Sequence, residues 1–186
     1  RQQPGQEASW ASAGIISPAP ENPGMSSLVE LGKIRVALYP PVVEQVEESS
    51  GQSTGFRPKG TLEALFSHDT KAELSTIIAL HHGLGLKAEA LRAEDARELE
   101  PALSEEVEAA VLRPEEASID NRALTAAVLE AARRSSAEFF PGSSVKAIWR
   151  EGNRCRGIVL QNEKVEAQWT VIAAGCFSGT VGGIAA

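Results

Sequence analysis

His81 and His82 stand side by side just before Gly83, and no second pair of metal ligands lies at a suitable spacing from them. Imidazoles at the end of a helix are explained by solvation and by the helix dipole, so no metal centre is expected. His68 reads as a turn residue. Glu94, Asp95, Glu98 and Glu100 make an acidic cluster. It reads as a solvated helix face, with a paired-carboxylate acid/base site as the alternative. Arg57 and Lys59 have the charge to meet a substrate carboxylate, but a surface hairpin accounts for them. Cys155 and Cys176 form no CxxC and have no histidine near them in sequence, which leaves reduced thiols in a cytoplasmic protein as the expectation. Trp10, Trp149 and Trp169 are too dispersed to stack bases. The run Val171-Ile172-Ala173-Ala174-Gly175, followed by Cys176-Phe177-Ser178-Gly179, is a strand-like segment entering glycine. Open α/β sheets collect ligands at the carboxyl ends of their strands, where glycine lets the backbone approach a phosphate or a ring. A strand-ending turn explains the same residues, and both readings are open on pattern alone.

The elements that must hold these residues follow from periodicity. Residues 5–18 are rich in small side chains and follow neither regular period, so they read as a loop with room for one helical turn. Pro18, Pro20 and Pro23 delay any long element. Ser26 or Ser27 can cap a helix in which Leu28, Leu31, Ile34 and Leu38 share a face, with a kink or restart at Pro40-Pro41 and an end near Ser50-Gly51. Residues 54–66, with a turn at Lys59-Gly60, read as a hairpin. A helix from Asp69 to Gly83 carries Leu74, Ile77, Ile78 and His81 on one face. Residues 86–91 read as extended, Glu94 to Leu99 as a short acidic helix, and Val107 to Leu112 as a strand. After Arg113-Pro114 the pattern changes. Asp120 caps a helix running to Arg133 or Arg134, with Leu124, Ala127, Val128 and Ala131 at helical spacing. Ala137 to Phe140, Val145 to Arg150, Cys155 to Asn162 and Val165 to Ala174 then read as strands, the last covered on both faces.

The whole chain has 186 residues, 42% hydrophobic and 23% charged, enough for one large or two small domains without disulfides. Eighteen basic against twenty-five acidic residues leave a net charge of −7 and a pI near 5.1, which argues against a protein that tracks nucleic-acid backbones and disfavours anionic membrane surfaces. No apolar run approaches the roughly 20 residues of a membrane span, so a soluble protein is expected. The chain opens Arg1-Gln2-Gln3, without an initiator methionine or a signal pattern, and closes on small residues. Both ends read as cut from something longer.

Four pieces occur in the order and spacing of one enzyme group: Gly5 to Pro18, Ile119-Asp120-Asn121-Arg122-Ala123-Leu124, Gly142-Ser143-Ser144-Val145-Lys146-Ala147-Ile148, and Val171 to Gly179. The chain resembles the glycine oxidase and D-amino-acid oxidase family of FAD-dependent enzymes along nearly its whole length. The resemblance implies an α/β fold: part of a Rossmann-like FAD-binding domain with an inserted α+β segment of the substrate domain. It assigns residues 1–51 and 115–186 to the FAD-binding domain and 52–114 to the substrate or cap domain. It further implies that Ala8, Ser9, Ala13, Gly14, Ile15 and Ile16 line the FAD pyrophosphate, ribityl chain and isoalloxazine. Val145 would meet the adenine edge, and Ala173, Ala174 and Gly175 would pack against the dinucleotide.

The implied reaction moves a hydride from the amine-bearing carbon of glycine or another small amine acid to flavin, followed by reoxidation with oxygen and imine hydrolysis. A dehydrogenase delivering electrons to a carrier, and a non-catalytic scaffold, are the alternatives. The chain also departs from the family pattern. It has no GxGxxG, and the ribose-binding acid and the substrate-binding tyrosine and arginines find no counterpart, so no catalytic residue is assigned. Glu7 places a carboxylate where the family often has a basic or polar group, beside the implied diphosphate. The segment alone is therefore expected to carry no stoichiometric FAD, to oxidise no amino acid, and to self-associate as a homo-oligomer through uncovered sheet edges.

Overall fold

The structure, a computed structural model, describes residues 3–19, 28–66 and 70–183. The expected caps Ser26, Ser27 and Asp69, the turn residue His68, and Pro20 and Pro23 lie outside the described residues. The chain forms two compact units, Gly5–Ala137 and Glu138–Ala186, the latter joined by Arg1–Pro4.

The larger unit opens with a single helical turn, α1 (Ala8–Ala11), and a two-residue strand, β1 (Ile15–Ile16). The long helix α2 (Leu28–Ser50) follows and runs through Pro40 and Pro41 without restarting. Both prolines are exposed, on the side where carbonyls that lose an N–H partner can tilt toward water. The stripe Leu28, Leu31, Ile34 and Leu38 remains exposed. The core takes another face of the same helix: Val29, Val43 and Ser50 are buried, and Val36 and Tyr39 pack against the core. Val29, Val36, Val43 and Ser50 are seven residues apart, close to two full turns, so they line up along one side.

Glu47 of α2 pins the chain that leaves the helix. It accepts the Thr54 amide at 2.6 Å and the Thr54 hydroxyl at 2.9 Å, while Thr54 itself is fully buried. The bond from the Thr54 amide holds the Glu47 carboxyl below the usual carboxylate range. A folded value below the unfolded one means that this stabilisation is complete above the ordinary glutamate range and is lost as pH falls through the lower folded value. Thermal melts are therefore expected to show the wild type losing more stability than Glu47→Gln on acidification through that window.

Strand β2 (Thr61–Leu65) is not half of a local hairpin. It pairs antiparallel with β4 (Ala109–Arg113), Leu62 opposite Leu112 and Ala64 opposite Ala110, and β4 also pairs with β3 (Glu89–Arg92), in the order β2-β4-β3. The preceding extended piece goes elsewhere: the Arg57 amide and carbonyl bond to Ser118 of β5 (Ala117–Ser118). Ala110 and Val111 of the central strand are fully buried, which explains the choice of partner, because a neighbour on each side satisfies the backbone of the most apolar strand. Helix α3 (Thr70–Gly83) and helix α4 (Ala93–Leu99) pack on this sheet. Helix α5 (Asn121–Arg134) begins where expected. The Asp120 carboxylate accepts the Arg122 and Ala123 amides at 2.9 and 3.0 Å, a cap worth about 1 kcal/mol.

The smaller unit is an antiparallel meander of β6 (Ala147–Glu151), β7 (Arg154–Val159) and β8 (Lys164–Glu166). One expected strand is absent, and another stops after its first two residues. Ala137 to Phe140 leaves α5 through Ser136 at φ 64°, with the Ala137 amide still bonded to Ala132, so the chain is turning rather than extending. Beyond Glu166 the apolar run carries no ladder, and Trp169 and Val171 are 83% and 86% exposed. Past the Ala167 amide, which donates to the Arg156 carbonyl, no described strand pairs with this run, so the strand expected to be covered on both faces ends there. Among the described residues no helix is long and apolar enough to cross a membrane.

Candidate flavin site

Residues 5–16 lie antiparallel along residues 117–129. Gly5, at φ 78°, has no room for a Cβ, which would sit 2.3 Å from Thr125 Cγ2. Trp10 lies under the Arg122 guanidinium, 4.6 Å from its ring centroid, a cation–π contact. Asn121 donates through Nδ2 to the Ser9 carbonyl at 2.6 Å and the Trp10 carbonyl at 3.0 Å. The Ile119 amide donates to the Gly14 carbonyl at 2.8 Å, and β1 continues into β5, with Ile15 opposite Ser118 and Ile16 opposite Ala117. Behind this pair Ile16, Val43, Ala117 and Ile119 form a buried cluster, backed by Val36, Leu124 and the stacked rings of Tyr39 and Phe56.

Two cavities open on this loop. One of about 380 Å3 is lined by Ala8, Ser9, Ser12, Gly14, Ile15, Ile16, Tyr39, Ile119, Asn121, Leu124 and Thr125. It therefore gathers five of the six residues that the sequence assigns to the loop site. Ala13, the sixth, lines the other cavity, of about 580 Å3, with Ser12, Gly14, Ile15, Ser17, Ala19, Arg35, Thr61, Leu62, His81, Arg113 and Glu116. The lining of the smaller cavity includes the hydroxyl-bearing Ser9, Ser12 and Thr125 and the branched apolar Ile15, Ile16, Ile119 and Leu124.

Polar residues line the larger cavity, among them His81, which the sequence singles out, and Glu116 and Arg113, to which it assigns no role. Glu116, only 6% exposed, accepts from the Ser17 and Thr61 hydroxyls, and so joins the loop after β1 to the start of β2. His81 is buried rather than solvated. Its Nδ1 lies 2.9 Å from the Ile77 carbonyl, which can only accept, so the ring carries its proton there. Nε2 then accepts from Arg113 Nε at 3.0 Å, and Arg113 also pairs with Glu63. In sequence, Glu116 looks like one more acid after Glu115, and only its position beside the short β5 distinguishes it. Asn121 follows an already sufficient cap, so nothing local marks it. The acidic cluster is partly paired: Arg92 grips Asp95 through two 2.9 Å bonds and holds its carboxyl below the usual range. No group of three His, Cys, Asp or Glu among the described residues could hold a metal.

In the smaller unit, Val145, Ala173 and Ala174 line one groove of about 430 Å3 with Ile148, Ile158, Val165, Ala167, Trp169, Thr170, Val171, Ile172 and Val181. Gly175 is not in its lining; at φ 56° it opens the 3-10 helix Gly175–Thr180.

The sequence model of the DAO family, FAD dependent oxidoreductase, matches residues 1–185. The chain belongs to this family. It is 26% identical over 173 residues to the bifunctional protein ThiO/ThiG of Synechocystis sp., covering 93% of this chain and 25% of that protein. It is 28% identical over 181 residues to the glycine oxidase of Geobacillus kaustophilus, covering 96% of this chain and 47% of the oxidase. Its fold matches the crystal structure of glycine oxidase from Bacillus cereus with a TM-score of 0.82 and 27% identity, over 97% of this chain and 50% of that one. The mixed α/β architecture is thus that of the FAD-binding fold of glycine oxidases. The chain spans about half the length of the glycine oxidases and a quarter of ThiO/ThiG. The cofactor of the DAO family is FAD, and the residues present suit it. Serine and threonine hydroxyls in the smaller cavity suit the polar ribityl chain, and its isoleucines suit a flat ring.

Proposed function

We propose that this chain is the flavin-holding part of an enzyme that oxidises the amine-bearing carbon of a small amino acid. The carrying observation is the loop of residues 5–16, fastened along residues 117–129 so that Ser9, Ser12, Gly14 and Ile15 border one cavity. In this reading Ala8, Ser9, Ala13, Gly14, Ile15 and Ile16 hold the flavin, and Val145, Ala173, Ala174 and Gly175 hold the adenosine end. FAD, when bound, supplies the two-electron acceptor. The chain's own residues bind and orient. The hydroxyls of Ser9 and Ser12 bond polar groups, and Ile15, Ile16 and Ile119 keep water from the ring.

Residues 1–51 and 115–186 then serve the cofactor, and 52–114, which contain the β2-β4-β3 sheet with α3 and α4, serve the substrate. The likeness to glycine oxidases supports glycine or another small amino acid as substrate. Cys155 and Cys176 are both unpaired and exposed, which favours the cytoplasm. The whole protein expressed from its gene is expected to purify with a flavin absorbance band and to release peroxide when given glycine. Reduction of an artificial dye without peroxide would move the acceptor from oxygen to a carrier. Absence of both flavin binding and amino-acid turnover overturns the reading.

A further inference from the structure

We infer that Asn121 is a positioning residue for the cofactor loop, holding α1 in place from more than a hundred residues away. The inference rests on the reading that residues 8–16 hold the flavin. Helix α1 is one turn long and has no side-chain cap at its start. A helix this short does not persist by itself, and the carbonyls of its last turn have no partners within it. Asn121 supplies them, taking the Ser9 and Trp10 carbonyls with the two hydrogens of one amide nitrogen. Both partners are carbonyls and can only accept, so the orientation of the amide is forced.

Its Oδ1 is left as an acceptor. It lies 3.7 Å from where a Gly14 Cβ would stand, and Asn121 is one of the residues that line the smaller cavity. An acceptor there suits a hydroxyl of a ligand. Helix α5 does not need this side chain, because Asp120 caps it. The role of the Asn121 amide is therefore directed outward, to the segment that carries Ser9 and Ser12, and Arg122 covering Trp10 reinforces it from the next position.

The test uses the whole protein labelled with 5-fluorotryptophan, the Trp10 line in the fluorine NMR spectrum being assigned with Trp10→Phe. In flavin-free protein, Asn121→Ala and Asn121→Asp are expected to move the Trp10 line toward that of free indole while the thermal midpoint stays near the wild type. With FAD, both are expected to raise the dissociation constant about tenfold or more, as the loss of two hydrogen bonds implies. The visible band of any remaining bound flavin should shift. Asn121→Ser, well tolerated in the first turn of a helix, replaces Asn121→Ala if the latter does not fold. A Trp10 line unmoved in both variants overturns the clamp, whatever the flavin does. A moved line with wild-type FAD affinity overturns the positioning role. Failure of the wild type to bind FAD overturns the functional reading and the positioning role with it, and the Trp10 line then still reports whether the clamp exists.

Discussion

Gly14→Val is expected to detach the cofactor loop and lower the melting temperature by roughly 5–15 °C, from about 2–4 kcal/mol at about 2–4 °C per kcal/mol in a chain of this size. Gly14 has φ 74°, and a Cβ there would stand 2.1 Å from the Ile119 carbonyl oxygen. A side chain must therefore push β1 off β5, which breaks the 2.8 Å bond from the Ile119 amide to the Gly14 carbonyl. A β-branched residue adds its own restriction in that backbone region. The far-ultraviolet helix signal should survive, because the Asp120 cap of α5 is untouched, and the whole protein carrying Gly14→Val should lose FAD binding. Gly14→Ala should show the same direction, since its only added atom is the one that clashes. A wild-type midpoint in Gly14→Ala would mean that the Ile119 carbonyl yields easily. The protein backbone thus requires this glycine before any cofactor is considered.

The second large effect concerns Glu116. Glu116→Ala is expected to cost about 2–4 kcal/mol, read as a drop in the urea or thermal midpoint, because it leaves the Ser17 and Thr61 hydroxyls without their acceptor in a nearly buried place. Glu116→Gln keeps the shape and still offers one carbonyl oxygen, and the other hydroxyl can rotate to accept from the amide nitrogen. It should cost under about 1 kcal/mol. Equal losses in the two variants would show that the charge, and not the pair of bonds, holds the loop after β1 to β2.

The sequence made α5 plain because two independent signals agree there: a capping aspartate and a 3.6-residue apolar period. The β6–β7 turn at Gly152-Asn153 was equally legible, since partner strands adjacent in the chain announce themselves through the turn between them. The partner of β2 is not legible, for the opposite reason. Its partner β4 begins 44 residues after β2 ends, and alternation in Leu62, Ala64 and Phe66 says that a strand exists without saying with whom it pairs. In α2 two apolar stripes compete. Leu28, Leu31, Ile34 and Leu38 have the larger side chains, yet Val29, Val36 and Val43 face the core, because residues far along the chain decide which face is covered. Of the loop site, Ser9, Gly14, Ile15 and Ile16 could be located by resemblance. Asn121 stands in one of the resembling pieces without an assigned role, and Arg113 and Glu116 lie outside them, because each of the three acts on a segment remote in sequence.

The alignment of residues 5–16 with 117–129 sets a time order for folding. During synthesis the first of these segments leaves the ribosome more than a hundred residues before the second, so its backbone bonds to Ile119 and Ser118 wait on closure of a very long loop. The β3–β4 pairing and α4 close over much shorter separations and can form earlier. Pulse-labelled hydrogen exchange during refolding should accordingly find the Val111 amide protected before that of Ile119, with FAD binding competence arising only in the later step.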